Sequence, residues 1–249
     1  MIIDKPRNTV LLRQLWQEAF GDSDSFLDAF FQTAFSPERC LCAMEEEVLL
    51  GALYWLDVEL SGQKWAYLYA VATAIHSRGK GVCHALMNAA CEKLKKAGYE
   101  GIILVPGTPE LGRLYQSMGY SAFGGIREIT CKAGAAPVSV KEVDGKTYAA
   151  LRRKLLPAGG VVQEGENLGF LQTQARLYAG DGIVMAASKT QGTLTALEYL
   201  GDPALCAGVL TTLSCDRGVF RMPGETPFAM CRPLKEETQI PAYFGLAFD

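Results

Sequence analysis

The tetrapeptide Arg-Gly-Lys-Gly at residues 78–81 combines two cationic side chains with two glycines, which suits the binding of an anion. An apolar run of strand-forming residues (68–73) precedes it, and apolar residues with helical spacing begin at Val82. A strand, a glycine turn and a helix in this order aim several backbone N–H groups and the positive end of a helix dipole at one point. Glycine also lets the backbone approach a ligand without a Cβ in between. The pattern therefore predicts a phosphate-binding loop.

The elements that position this loop are read from periodicity and from helix start and stop signals. Two helices are predicted before residue 40, the first capped at Asn8, and a three-stranded meander is predicted up to Thr73. Downstream we expect a helix ending at Lys96, a strand over residues 101–105, a short helix over 110–118 and one or two strands over 121–131. The aromatic side chains of the first two helices are interpreted as core, with the wall of an acceptor pocket as the alternative.

Composition excludes several classes of function. With 49% hydrophobic and 20% charged residues the chain of 249 residues is globular, and its net charge of -3 offers no basic field for nucleic acid. Its eight cysteines form no C-x-x-C pair, and only His76 and His84 could complete a zinc site, so we expect no metal. No apolar leader or run of eighteen apolar residues is present, which predicts a cytoplasmic protein without a membrane segment.

The second half of the chain resembles a degenerate repeat of the first. Leu151-Arg152-Arg153 echoes Leu12-Arg13-Gln14, and residues 219–227 echo residues 102–109 around a shared Pro-Gly turn. The small residues 132–137 are the best linker, so we predict domains at 1–131 and 138–249. The second copy has no Gly-x-Gly and no basic residue where the first has its loop, which predicts that it has lost the phosphate site. Chance similarity is the alternative for such short matches.

Two blocks of the first half resemble the GNAT superfamily of N-acetyltransferases. Arg78, Gly81 and Cys83 stand at the places of its acyl-CoA signature, Arg/Gln-x-x-Gly-x-Gly/Ala, with cysteine replacing the usual small third residue. The segment Leu111–Tyr120 resembles the family's Ala-x-x-Leu-Tyr-x-x-x-Gly-Phe block, with Leu111 in place of alanine and Thr108 where asparagine is usual. The resemblance covers roughly residues 8–130.

The resemblance implies an α/β fold with a central mixed, mostly antiparallel sheet flanked by helices, duplicated in a second, degenerate domain. It also implies acetyl-CoA as cosubstrate. The expected cofactor-binding residues come from the strand before the loop, the loop itself and the downstream block: Val71, Ala72, Thr73, Arg78, Gly79, Lys80, Gly81, Val82, Cys83, Thr108 and Tyr115. In the family the strand before the loop pairs with the pantetheine arm, and the next parallel strand splays away from it.

By the same resemblance, Tyr115 matches the general acid that protonates the leaving thiolate, and the backbone N–H near Val71 is the expected oxyanion donor. The general base is left open among His76, His84 and three carboxylates: Asp57, Glu59 and Glu110. Tandem acetyltransferases of the enhanced intracellular survival type are similar in carrying a degenerate second copy, and they use a C-terminal carboxylate as base. That similarity suggests the terminal carboxylate of Asp249 as a further candidate.

We therefore predict an enzyme that transfers an acetyl group to a primary amine of a small molecule or peptide, by direct attack. A non-catalytic acyl-CoA-binding or sensor module is the first alternative, and a transferase for longer acyl groups is the second. The identity of the amine is left open, as is a homodimer.

Overall fold

The computed structural model describes residues 1–248, which form α-helices and β-strands. Its first ten regular elements are β1 (Ile2–Asp4), α1 (Thr9–Phe20), α2 (Asp24–Thr33), β2 (Cys40–Glu45), β3 (Val48–Leu60), β4 (Gln63–Thr73), α3 (Val82–Lys96), β5 (Gly101–Leu104), α4 (Pro109–Ser117) and β6 (Ser121–Lys132). The next nine are β7 (Val140–Glu142), α5 (Gly145–Leu155), α6 (Glu166–Gln174), β8 (Arg176–Gly180), β9 (Ile183–Thr190), β10 (Thr193–Leu200), α7 (Cys206–Thr212), β11 (Arg217–Pro223) and β12 (Thr226–Pro233). Short 3₁₀ turns occupy Pro37–Arg39, Ile75–Ser77 and Pro203–Leu205.

Local signals account for the helix bounds. The Asn8 side chain accepts a hydrogen bond from the Val10 N–H at the start of α1, and the Ser23 hydroxyl accepts from Phe26 N–H at the start of α2. Helix α3 ends with three lysines in its last turn, where cations complement the helix dipole. The predicted elements of the first half are confirmed to within a few residues, and residues 121–131 form one strand rather than two.

The described chain divides into two compact units that are not contiguous in sequence. The first comprises residues 1–121, 165–170 and 230–239, and the second comprises residues 122–164, 171–229 and the C-terminal segment from Ile240. The predicted linker at 132–137 lies inside the second unit, so the units divide at other places than local composition suggests. Residues 230–233 of β12 belong to the first unit, whereas nearly all of β6 belongs to the second.

In the first unit the strands lie in the order β1-β2-β3-β4-β5, followed by residues 230–233 of β12. The first four are antiparallel neighbours, β4 and β5 are parallel, and β12 is antiparallel to β5. Glycine is required at the start of β5, because a Cβ on Gly101 would overlap the ring of Trp65. One face of this sheet packs on α3 and the other on α1, with Leu86 and Trp16 as fully buried contacts.

Strand β4 has two irregularities that shape the site. It pairs with β5 at only three positions, the last being Tyr67 with Ile103, so the remainder of β4 continues past the end of the pairing. Its register with β3 slips between Tyr69 and Ala72, so that Leu53 alone stands opposite two residues. Ala70 there has a left-handed φ of 47°, as expected at a bulge. The bulge re-aims the last residues of the strand.

The second unit has its own set of paired strands. Its strands lie in the order β7-β8-β9-β10-β11-β6. Strands β10 and β11 are parallel, and the pairs β7–β8, β8–β9, β9–β10 and β11–β6 are antiparallel. Strand β10 also carries a register shift, between Ala196 and Glu198. Its core includes a buried ion pair between Arg152 of α5 and Glu198. No helix within residues 1–248 has the length and apolar character needed to cross a bilayer.

Candidate active site

A cleft of about 780 Å³ opens in the first unit where β4 runs past the end of its pairing with β5. Its walls are the end of β4, the loop before α3, the start of α4 and the last residues of α1. The volume lies within the range of pockets that hold cofactors and drug-sized ligands. Val71, Ala72 and Thr73 all line it, and their predicted contact with a cofactor stays a prediction.

The glycine loop forms one end of the cleft. Gly79 and Gly81 have φ values of 76° and 81°, which other residues adopt only with strain. Gly81 is the N-cap of α3 and makes no side-chain cap, so the first-turn N–H groups of this helix have no capping side chain. Gly79, Gly81, Val82 and Cys83 line the cleft. This end of the cleft can bind an anion through backbone donors.

The two basic residues of the loop are placed differently. Arg78 lines the cleft, and its Nε donates to the carbonyl oxygen of Thr73 at 3.3 Å, which ties the loop to the end of β4. Lys80 is exposed and, among the described residues, is not part of the cleft lining. Flanked by two glycines with positive φ, Lys80 lies outside the wall that its neighbours form. Its predicted contact with the cofactor is therefore the least supported of the loop residues.

Tyr115 of α4 lies in another part of the cleft wall. The residue is only 6% exposed, lines the cleft, and within residues 1–248 its hydroxyl has no hydrogen-bond partner. Burial first, and the nearby Cys83 thiol second, raise the pKa of Tyr115 above its ordinary value of about 10. The phenol therefore stays protonated at neutral pH. Burial also raises the pKa of the Cys83 thiol, so cysteine at this place stays neutral.

Thr108 and Glu110 begin the wall formed by α4. The Thr108 hydroxyl accepts from the Leu111 N–H at 3.3 Å and so caps the helix, while the residue also lines the cleft. Hydrogen bonding from the backbone first, and from Arg113 and Thr108 second, lowers the pKa of Glu110. The carboxylate of Glu110 is therefore a weaker proton acceptor than an ordinary glutamate.

The other candidate bases differ in position. Asp57 accepts a hydrogen bond from the Tyr99 hydroxyl at 2.5 Å and pairs with Lys64 at 3.1 Å, so its carboxylate is already engaged. Among the described residues His84 lines the cleft, whereas His76 and Glu59 are not part of the lining. Asp249 lies outside the described residues, and its predicted role stays a prediction.

Several cleft residues were not predicted from the sequence. Ser77 is 2% exposed, lines the cleft and has no hydrogen-bond partner for its hydroxyl within residues 1–248. Ala19 contributes from the end of α1, and Leu111 and Leu114 from α4. Phe20, which also lines the cleft and is 47% exposed, is one of the aromatic residues for which a pocket wall was the alternative to the core. Ser77 offered no comparable signal, because serine is common in turns.

Residues 9–123 match the family profile described as an acetyltransferase (GNAT) domain. The chain is similar in structure to a GCN5-related N-acetyltransferase from Kribbella flavida, with a TM-score of 0.73 and 16% identity over 93% of this chain and 70% of that one. A conserved protein of unknown function from Enterococcus faecalis V583, described as a probable N-acyltransferase, has a TM-score of 0.71 and 17% identity over 95% of this chain and 73% of that one. Eis1 from Mycobacterium abscessus has a TM-score of 0.66 and 10% identity over 94% of this chain and 74% of that one.

No curated protein matches the chain by sequence. At identities of 10–17% the structural likeness establishes the fold, which is that of the GNAT acetyltransferases. The cleft lining and both motif blocks lie within the segment that matches this profile, residues 9–123. The predicted α/β fold with a mixed sheet flanked by helices is thereby confirmed.

Proposed function

We propose that this protein is an acetyl-CoA-dependent N-acetyltransferase that acetylates a primary amine of a small molecule or peptide by direct attack. The observation that carries the proposal is the cleft itself. It joins an uncapped helix N-terminus at one end to the unpartnered hydroxyl of Tyr115 on its wall. Such a cleft suits a ligand with a pyrophosphate at one end and a leaving thiolate farther along.

Each of the proposed catalytic steps has a group to perform it. The N–H donors of Gly79 to Cys83 would bind the pyrophosphate, and the exposed end of β4 would pair with the pantetheine arm. The backbone N–H of Val71, beside the bulge at Ala70, would stabilise the tetrahedral oxyanion. When that intermediate collapses, the carbon–sulfur bond breaks and the Tyr115 hydroxyl gives its proton to the departing thiolate, a step worth about 10²- to 10⁴-fold in rate.

The attacking amine must be neutral. An ordinary lysine-like amine has a pKa of about 10.4, so its deprotonation at pH 7 costs about 4–5 kcal/mol. We propose that the terminal carboxylate of Asp249 accepts this proton. His84 is the second candidate, because it lines the cleft and no acidic partner is found for it among residues 1–248.

We further propose that the second unit is a degenerate copy without a cofactor site. The shared order of strands and the register shift on β10 support a duplication. At the place that corresponds to the glycine loop, the carboxylate of Asp202 accepts from the Ala204 N–H at 2.9 Å. A backbone donor there is thus satisfied by a negative side chain, which disfavours a phosphate. One active site per chain follows from this proposal.

The experiment measures turnover of acetyl-CoA with a panel of polyamines, aminoglycosides and lysine peptides as acceptors. The readout is the rate at which free thiol is released. Tyr115→Phe should lower kcat at least 100-fold and leave the dissociation constant of CoA within twofold of wild type, since the hydroxyl has no partner in the protein. Leu114→Ala, on the same wall, is the matched control, because it changes packing without removing a proton donor. A Tyr115→Phe enzyme with normal turnover would refute the proposed acid.

A non-catalytic acyl-CoA sensor is the second candidate function. The observation in its favour is that the cofactor end of the cleft is well formed, whereas among the described residues no free carboxylate with a raised pKa lies in the lining. Tight binding of acetyl-CoA without thiol release on any acceptor would support the sensor and contradict the enzyme.

A further inference from the structure

The 3₁₀ turn Ile75–Ser77, directly before the phosphate loop, has no local cap. Its N-cap residue is Ala74, which has no side chain that could accept a hydrogen bond. The first N–H groups of a helical turn have no partner within the turn and need one from elsewhere. Glu18, in the last turn of α1, provides it: the Ile75 N–H donates to Oε1 of Glu18 at 2.6 Å. A carboxylate from a distant helix therefore caps this turn.

The bonded residues transmit this restraint to the cleft. The Ser77 N–H donates to the Ala74 carbonyl at 2.8 Å, and the Arg78 N–H donates to the Ile75 carbonyl at 3.3 Å. Ser77 and Arg78 both line the cleft, and Gly79 follows them directly. A displacement of Ile75 would consequently move the residues that begin the phosphate-binding loop.

The requirements of α1 itself do not explain a glutamate at this position. A negative charge in the last turn of a helix opposes the helix dipole, and alanine has the higher helix propensity. The neighbouring residues Ala19 and Phe20 line the cleft, so the end of α1 already belongs to its wall. The two helical segments around the loop also differ: the 3₁₀ turn is capped by protein, whereas α3 begins at Gly81 without a side-chain cap.

We propose that Glu18 is a positioning residue for the phosphate-binding loop. It holds the turn at Ile75 so that the loop donors and the Ser77 hydroxyl are already arranged for the pyrophosphate before the cofactor arrives. The inference rests on the proposed function, since it assumes that CoA occupies the cleft. Preorganisation of this kind raises affinity by reducing the ordering that binding requires. Glu18 would act through the turn and not by touching the acetyl group.

The test compares Glu18→Ala, Glu18→Gln and a control, Glu92→Ala, which removes an exposed carboxylate of α3 that is not part of the cleft lining. The dissociation constant of CoA is measured by calorimetry, and KM is measured for acetyl-CoA and for S-acetylpantetheine, which has no pyrophosphate. Glu18→Ala should weaken CoA binding about fivefold, the scale of one typical hydrogen bond at an exposed position. Glu18→Gln keeps an acceptor oxygen and should stay within about twofold of wild type, as should Glu92→Ala.

The donor without phosphates separates positioning from a general structural effect. With S-acetylpantetheine the KM of Glu18→Ala should equal that of wild type, and kcat at saturation should be unchanged with either donor. An equal rise in KM for both donors, or a Glu18→Ala variant that binds CoA as tightly as wild type, would overturn this inference and leave the proposed function standing. A wild-type protein that does not bind CoA would overturn the proposed function and this inference with it.

Discussion

Replacing Glu198 with glutamine removes one charge of a buried ion pair in the second unit. The Arg152 guanidinium binds the Glu198 carboxylate through two bonds, Nε to Oε2 at 2.6 Å and Nη2 to Oε1 at 2.9 Å. The two side chains are only 3% and 1% exposed. Tyr243, in the C-terminal segment of the same unit, donates its hydroxyl to Glu198 Oε1 at 3.1 Å. The substitution would leave the Arg152 cation buried without its counter-charge.

The size of the loss follows from the cost of a buried, unpaired charge. Removing one partner of such a pair destabilises a protein by about 3–5 kcal/mol, because the remaining ion has lost its water without compensation. The next residue of the same helix gives a matched control, since Arg153 pairs with Glu164 and these side chains are 44% and 35% exposed. Glu164→Gln should therefore cost about 0–1 kcal/mol.

The free energy of unfolding is measured by urea titration with far-UV circular dichroism, which reports both units. The three tryptophans, Trp16, Trp55 and Trp65, all lie in the first unit, so their fluorescence follows that unit separately. The double variant with methionine at positions 152 and 198 should lose less than Glu198→Gln, because it leaves no buried charge. A loss below about 1 kcal/mol for Glu198→Gln, equal to that of the control, would refute the reasoning.

Two further predictions concern turnover. Burial raises the pKa of Tyr115, so its proton-donating form persists in the alkaline range. The value of kcat/KM should therefore rise with pH as the acceptor amine loses its proton, and it should show no descending limb at any pH up to about 10. A descending limb near about pH 8, lost in Tyr115→Phe, would contradict this assignment. Extending the chain by two glycines after Asp249 should abolish turnover and leave CoA affinity unchanged, because it displaces the terminal carboxylate. Asp249→Asn, which keeps that carboxylate, should remain active; an active extended chain would exclude the terminal base.

Much of the first unit could be predicted because its signals are local. Asn8 and Ser23 cap helices through their own side chains, and three lysines followed by Gly98 mark the end of α3. The strand, glycine turn and helix around residues 78–81 follow from backbone preferences within a few residues of each other. Most of the loop and strand residues proposed to bind the cofactor line one cleft, and Lys80 does not, while cofactor binding itself stays a prediction.

The features that local signals did not reveal depend on partners far apart in the chain. Composition suggested a boundary at 132–137, whereas the first sheet is completed by residues 230–233 of β12. A strand pairs with whichever neighbour gives the best burial and register, which a local pattern does not specify.

The sequence by itself indicated the glycine loop through short-range backbone geometry, and its resemblance to the GNAT superfamily indicated the fold class and singled out Tyr115. The tertiary structure alone decided that Tyr115 is buried with its hydroxyl unpartnered, that Glu18 caps the turn before the loop, and that Arg152 meets Glu198. Each of these depends on desolvation and on a hydrogen-bond partner brought in by folding. Burial and distant partners exist only once the chain has packed.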